Sequence, residues 1–370
     1  MKSAMAVFKI IQSNGFAMAY RSCYRGYCTT EEVYTLSKKK EQHPYLKIHP
    51  WKSENEFRKY LLENIIYNAD GMVVINKPYG IPLSNTFTND KPLPIKQCHH
   101  IVKAVDYSIE NVLPHIAKEL DVPALIPCIG AEKYMSGVYV FAINNDVVKQ
   151  VMKARTQATY AQKFRKYWGI TIRVPNEIKG SYYLAMKLEQ SQSGNKKPIF
   201  ITHWSKNEQK RGDIKIMNVK YKLLSNSTHN LCSLIEIESS ARKWHCVRLF
   251  ASIMLYSPIL GDNYHGSRVQ EIMGTWMKVN TFSESCLNMP KINRQLLELL
   301  KLTPRQQEII PVHLHLRSIH LLSFGKKHED IVLEAPLLQP FNWTCKQLMF
   351  KNIPCEANDA SIEEIKINNM

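Results

Sequence analysis

Between residues 194 and 222, Lys196, Lys197, Lys206, Lys210, Arg211, Lys215, Lys220 and Lys222 are opposed only by Glu208 and Asp213, with Phe200, His203, Trp204 and Tyr221 interleaved. Cations at this density can neutralise phosphates while aromatic faces stack on bases, which is the chemistry of a nucleic-acid contact. The same pattern fits a solvated hairpin whose aromatics turn into a core and whose lysine stems lie along apolar surface.

Other chemistry-bearing groups point away from metal binding. Cys98-His99-His100 has no partner motif, and His313 and His315, alternating on one strand face, lack a third ligand. Nine cysteines occur with no Cys-x-x-Cys spacing, which fits free thiols in a reducing compartment. No metal and no cofactor are expected.

The elements that must position these residues are legible as patterns. Ser53-Glu54-Asn55-Glu56 offers a helix cap, and Phe57, Tyr60, Leu61 and Ile65 follow at helical spacing. The apolar run from Gly71 to Asn76 predicts a strand that stops at Lys77-Pro78-Tyr79-Gly80. A second strand is predicted at Val138–Ile143, followed by a helix through Asp146 to Arg155. Further strands are predicted at Lys166–Val174, Tyr182–Leu188, Lys215–Leu224 and Leu231–Glu238, then a helix from Trp244 to Tyr256. This mixed order predicts one α+β domain, at 51–350, and not a doubly wound sheet.

Length and charge agree with that reading. The 370 residues are 45% hydrophobic, enough for a sizeable core, and the longest lipid-like stretch, Phe250 to Leu260, is too short to span a bilayer. A formal charge of +17 favours a polyanionic partner. Residues 1–30 carry Lys2, Lys9, Arg21 and Arg25 and no acid, the composition of a mitochondrial presequence, which leaves +13 on the remainder. A linker is expected at 31–50 and a C-terminal tail at 351–370.

Four segments, in order, resemble the RluA-type RNA pseudouridine synthases, and their wording is closest to the mitochondrial members. They are Val74-Ile75-Asn76-Lys77-Pro78-Tyr79-Gly80; Cys128 to Val138; Lys166-Tyr167-Trp168-Gly169; and Arg242-Lys243-Trp244-His245-Cys246-Val247-Arg248 with Pro258-Ile259-Leu260-Gly261-Asp262. A weaker tail match at 313–317 and 334–337 extends coverage to roughly residue 340. The resemblance implies the pseudouridine synthase fold, a mixed and mainly antiparallel central sheet flanked by helices around an RNA-binding cleft. No separate small RNA-binding domain is expected ahead of the first motif.

The activity implied is the isomerisation of uridine to pseudouridine in mitochondrial mRNA, rRNA or tRNA, in the mitochondrial matrix. One carboxylate suffices, as nucleophile or as base, and Glu132 stands where the family has aspartate. The resemblance puts Tyr167 against the target base and Arg248 beside the carboxylate as its charge partner. Ile129 and Gly130 replace the family's histidine and arginine. Without the resemblance, Glu132 reads as a solvated loop acid, Tyr167 as a core residue and Arg248 as a helix-surface arginine. The expected RNA contacts are Lys77, Lys166, Lys196, Lys197, Lys206, Lys210, Arg211, Arg242 and Lys243. Partners in RNA processing or ribosome assembly are expected alongside RNA. The alternative is a catalytically inactive RNA-binding protein on the same fold.

Overall fold

The computed structural model describes residues 42–84, 105, 107–325 and 328–351. The presequence, most of the expected linker, Cys98-His99-His100 and all but the first residue of the expected tail lie outside the described residues.

Local chemistry sets the first helix, α1 (Glu54–Glu63). The Ser53 hydroxyl accepts from the Glu56 amide at 3.3 Å, while the Glu56 carboxylate accepts from the Lys52 amide at 2.8 Å. Then follow β1 (Ile65–Ala69), β2 (Met72–Lys77), α2 (Ile109–Glu119), β3 (Ile126–Gly130), β4 (Ser136–Ala142), α3 (Asn145–Tyr160), β5 (Arg165–Ile170), β6 (Lys179–Gln190), β7 (Lys196–Ile201), α4 (Lys206–Arg211), β8 (Ile214–Asn226) and β9 (Ser233–Ser239). The chain continues with α5 (Cys246–Leu249), β10 (Val269–Ile272), β11 (Thr275–Lys278), α6 (Arg294–Leu299), β12 (Leu314–Phe324), β13 (Glu329–Glu334) and α7 (Phe341–Gln347).

Eleven strands make one sheet in the order β1-β2-β4-β12-β5-β9-β8-β6-β7, with β3 beside β4 and β13 beside β12. Its pairings are antiparallel except that of β12 with β4. The strands β10 and β11 form a separate hairpin. The α+β reading, with a mixed and mainly antiparallel sheet, therefore holds.

Alternation along the strands builds three layers. Val138, Val140, Tyr167, Ile235, Ile237, Leu314 and Leu316 face one core together with Val151, Val247 and Phe250 of the helical segments. Tyr139 and Phe141 point the other way, under α1 and α2, and Trp168 and Ile170 pack with α6 and α7. The central strands are buried on both faces, which is why they read as nearly continuous apolar runs.

Two expectations are corrected. Residues 43–49, expected in the linker, pack into the fold: Tyr45 is buried and its hydroxyl bonds to Thr344 at 2.7 Å, and His49 Nε2 bonds to the Tyr79 carbonyl at 2.8 Å. The helix expected over Trp244–Tyr256 begins only at Cys246 and passes into a π turn at Phe250–Met254, because Trp244 and His245 are left-handed. No helix among the described residues is long and apolar enough to cross a membrane.

Gly137 fixes the junction between β4 and β12. Its φ is +117°, and a Cβ there would lie 2.2 Å from the Leu316 carbonyl oxygen. Any side chain must part the two central strands, so Gly137→Ala is expected to cost about 3 kcal/mol or more of unfolding free energy. Urea denaturation of the variant checks this; an unchanged midpoint would contradict it.

Candidate active site

Glu132 lies in the short loop between β3 and β4, and that loop is tied from below. The Gly80 amide donates to the Lys133 carbonyl at 2.9 Å, and the Ala131 amide to the Val138 carbonyl at 3.0 Å. Lys77 Nζ donates to the carbonyls of Pro78 at 3.0 Å and Met135 at 3.1 Å. Lys77, expected among the RNA contacts, is therefore a buried brace under the loop, only 1% exposed. Burial pulls its amine down to about 7, partly resisted by the nearby Glu132 carboxylate.

The other wall of the pocket comes from the turn before α5 and from β5. Trp244 (φ 57°) and His245 (φ 53°) are consecutive left-handed residues without glycine, a costly conformation that concentrates at functional sites. The turn brings His245 Nδ1 to 3.2 Å from Glu132 Oε2. Cys246 closes the turn from inside, its thiol donating to the Ala241 carbonyl. Sequence reasoning passed over His245, although the segment resembling the family contains it; only folding shows that its ring meets the carboxylate.

Arg248 is 3% exposed and is gripped on both sides of its fork by Asp262, with Nε at 3.0 Å from Oδ2 and Nη2 on Oδ1. Burial alone would lower its pKa, but the charge and hydrogen bonds of Asp262 outweigh that and raise it. Glu132 was expected as the charge partner of Arg248, and the structure adds a second, closer acid, Asp262. The bidentate partner of Arg248 is Asp262, and Glu132 acts on it as a further nearby charge. Asp262 Oδ1 also accepts from the amides of Tyr264 and His265 at 3.2 and 3.0 Å, which fixes the anchor.

Tyr167 faces the same pocket from β5, and burial pushes its phenol up to about 12, so it is neutral near pH 7. Glu132, Tyr167, Arg242, His245 and Arg248 line one pocket with Gly130 and Leu314. Its free space is about 10 Å³, close to that of one water, and Arg242 and His245 stand at its rim. Both rim residues are exposed, and so is Lys243. At Gly130, where the resembling family carries arginine, a Cβ would lie 2.5 Å from the Tyr139 ring, so a larger residue has no room here without a shift of its neighbours.

The remaining basic candidates divide. Lys166 points to the opposite sheet face from Tyr167, where Glu236 at 3.8 Å and Glu238 at 3.3 Å neutralise it; strand alternation removes it from the pocket. Arg211 pairs with Asp213 at 2.8 Å, and Lys197 Nζ donates to the Thr281 carbonyl at 3.1 Å. Lys196, Lys206 and Lys210 are exposed. Tyr221 is buried and Phe200 packs against the core, so those aromatics follow the hairpin alternative. His313 and His315 are buried and bond to Thr344 at 2.7 Å and Ser136 at 2.9 Å, respectively.

The buried amine gives a pH test. Between about pH 7 and 10 the unfolded chain holds a proton on Lys77 that the folded chain has released, so the lysine makes stability rise with pH through that window. The unfolding free energy of the native protein relative to Lys77→Met is expected to rise by roughly 2 kcal/mol from pH 7 to pH 9. Urea titrations at the two pH values measure it, and a flat difference would place the Lys77 amine in water.

No family model matches the chain. The mitochondrial pseudouridylate synthase RPUSD4 of Mus musculus is 27% identical over 303 residues, covering 79% of this chain and 69% of that protein. The human mitochondrial mRNA pseudouridine synthase RPUSD3 is 25% identical over 312 residues, covering 80% and 79%. Among solved structures, human RNA pseudouridylate synthase domain containing 4 superposes with a TM-score of 0.57 at 23% identity, covering 80% of this chain and 97% of that one. The resemblance read from the four motifs is borne out. The chain is a homologue of the mitochondrial pseudouridine synthases and carries their fold.

Proposed function

We propose that this protein is a mitochondrial RNA pseudouridine synthase in which Glu132 is the acting carboxylate. The observation that carries the reading is the convergence of Glu132, Tyr167, His245 and Arg248 on one pocket in a chain homologous to such synthases. In the reaction the bond from C1′ to N1 breaks, the uracil turns in place, C1′ joins C5, the C5 hydrogen leaves as a proton, and the freed N1 takes up a proton, so the product is an isomer. Glu132 supplies either a nucleophilic oxygen at C1′ or a base for a sugar proton, and both roles require an oxygen about 3 to 3.5 Å from the reacting atom.

Each neighbour has a definable part. His245 orients the carboxylate by its 3.2 Å contact. Tyr167 offers the turning base a neutral aromatic face, and Arg248, fixed by Asp262, gives the pocket wall a positive charge without a second freely moving cation. Arg242, Lys243, Lys196, Lys206 and Lys210 are the exposed cations that we assign to RNA phosphates. Lysines of this kind suit mRNA, rRNA and tRNA alike, and RNA-processing or ribosome-assembly proteins would be natural partners.

A second reading, RNA binding without chemistry, is favoured by one observation: a Cβ at Gly130, where the resembling family carries arginine, would lie 2.5 Å from the Tyr139 ring. Pseudouridine mapping of mitochondrial RNA from cells with and without the protein separates the two. The synthase reading expects one or more sites to disappear and to return with wild-type protein but not with Glu132→Gln; complementation by Glu132→Gln with no site lost supports the binder.

The acid-free basic first thirty residues, and the mitochondrial relatives, support action in the matrix. Residues 1–35 fused to a fluorescent reporter are expected to carry it into the matrix. A cytosolic reporter would contradict this.

A further inference from the structure

A second and larger cleft lies apart from the Glu132 pocket, between the outer edge of β7, the end of the π turn, and the β10–β11 hairpin. Its volume is about 510 Å³, within the range of small-ligand sites. Phe200, which packs toward the core, lines it together with Ile253 and Met254, while Ile199 and Ile201 alternate to the other face of β7. β7 is the last strand of the sheet, so its outer edge offers backbone donors and acceptors that no described strand pairs.

The charges of the cleft have one sign. Arg268 and Lys278 line it, no carboxylate does, and Lys197 reaches its margin through the Thr281 carbonyl. Arg268 is held in place by donating to the Pro198 carbonyl at 2.9 Å. An apolar lining with one aromatic ring, an unpaired strand edge and a cationic margin suit an unstacked base with its phosphate.

The cleft is also connected to the active site. α5 lines the Glu132 pocket with Cys246, Val247 and Arg248, and its continuation through the π turn lines the cleft with Ile253 and Met254. At about 1.5 Å per residue, Val247 to Met254 is roughly 10 Å, within reach of one RNA strand. We propose that this cleft binds an unpaired base of the substrate RNA, a few nucleotides from the uridine held at Glu132, and so selects single-stranded sites. This inference rests on the synthase reading for the identity of the polymer.

The test uses the full-length protein and a single-stranded RNA oligonucleotide of mixed sequence carrying 4-thiouridine. After irradiation, crosslinked peptides are expected from 196–204 or 275–282. Thr202→Trp, an exposed position that would fill the cleft, is expected to weaken binding about tenfold with an unchanged thermal midpoint. Lys278→Glu, on the exposed hairpin, is expected to weaken binding and reduce the slope of log affinity on log salt by about one. The same sequence as a duplex is expected to bind more weakly than the single strand and to be indifferent to Thr202→Trp.

Native affinity in both variants, with crosslinks only elsewhere, would overturn the inference while leaving the synthase reading intact if pseudouridine still forms. Loss of binding in the variants of a protein that forms no pseudouridine would uphold the cleft and remove the enzyme. Absence of RNA binding by the native protein would overturn both.

Discussion

An amine sealed beneath the loop between β3 and β4 is the interaction on which the geometry of Glu132 depends. Lys77 donates to the carbonyls on either side, and the Gly80 amide reaches Lys133 from the same turn, so the loop inherits its shape from β2. Burying the amine is costly in itself, as its lowered pKa records, and the two carbonyls would be left without a donor if it were removed. The loop is therefore held by a polar contact whose loss costs more than its presence contributes. Gly137 then lets β4, which follows the loop, lie directly against β12.

The facing wall is held by different means. Two left-handed residues, Trp244 and His245, are kept in place because Cys246 and Val247 are buried directly after them. The Arg248–Asp262 pair completes that wall, and it is buried, bidentate and tied to two further amides. Such a pair contributes little net stability against a well-packed apolar alternative, whereas removing one partner leaves an uncompensated charge. Its value here is directional: it fixes an arginine beside a pocket without neutralising Glu132. The exposed rim of the pocket is formed by Arg242 and His245.

Much of this was legible in the sequence where a pattern is local or repetitive. The strand before Lys77, the helix after Ser53 and the strand carrying Tyr167 follow from capping and alternation. Motif order carried the fold, and it brought Glu132, Tyr167 and Arg248 to one pocket. What failed depended on side-chain direction and burial. Lys77 and Lys166 read as surface cations because nothing local says that one lies under a loop and the other on the far face of a strand. Asp262 was not named as a partner of Arg248 because, fourteen residues later, it approaches only through the turn after the π segment. His245 was overlooked for the same reason: its ring meets Glu132 across 113 residues of chain, through a backbone conformation that no propensity favours.

The central claim is that the Glu132 carboxylate does chemistry on uridine. Isomerisation expels the hydrogen at C5 of the base, so release of tritium from mitochondrial transcripts labelled at C5 of uridine reads the reaction directly. The account predicts time-dependent release by the native protein and loss of at least 1,000-fold, roughly 4 kcal/mol of barrier, in Glu132→Gln, with RNA affinity within twofold of native. Equal release by native protein and Glu132→Gln would contradict it.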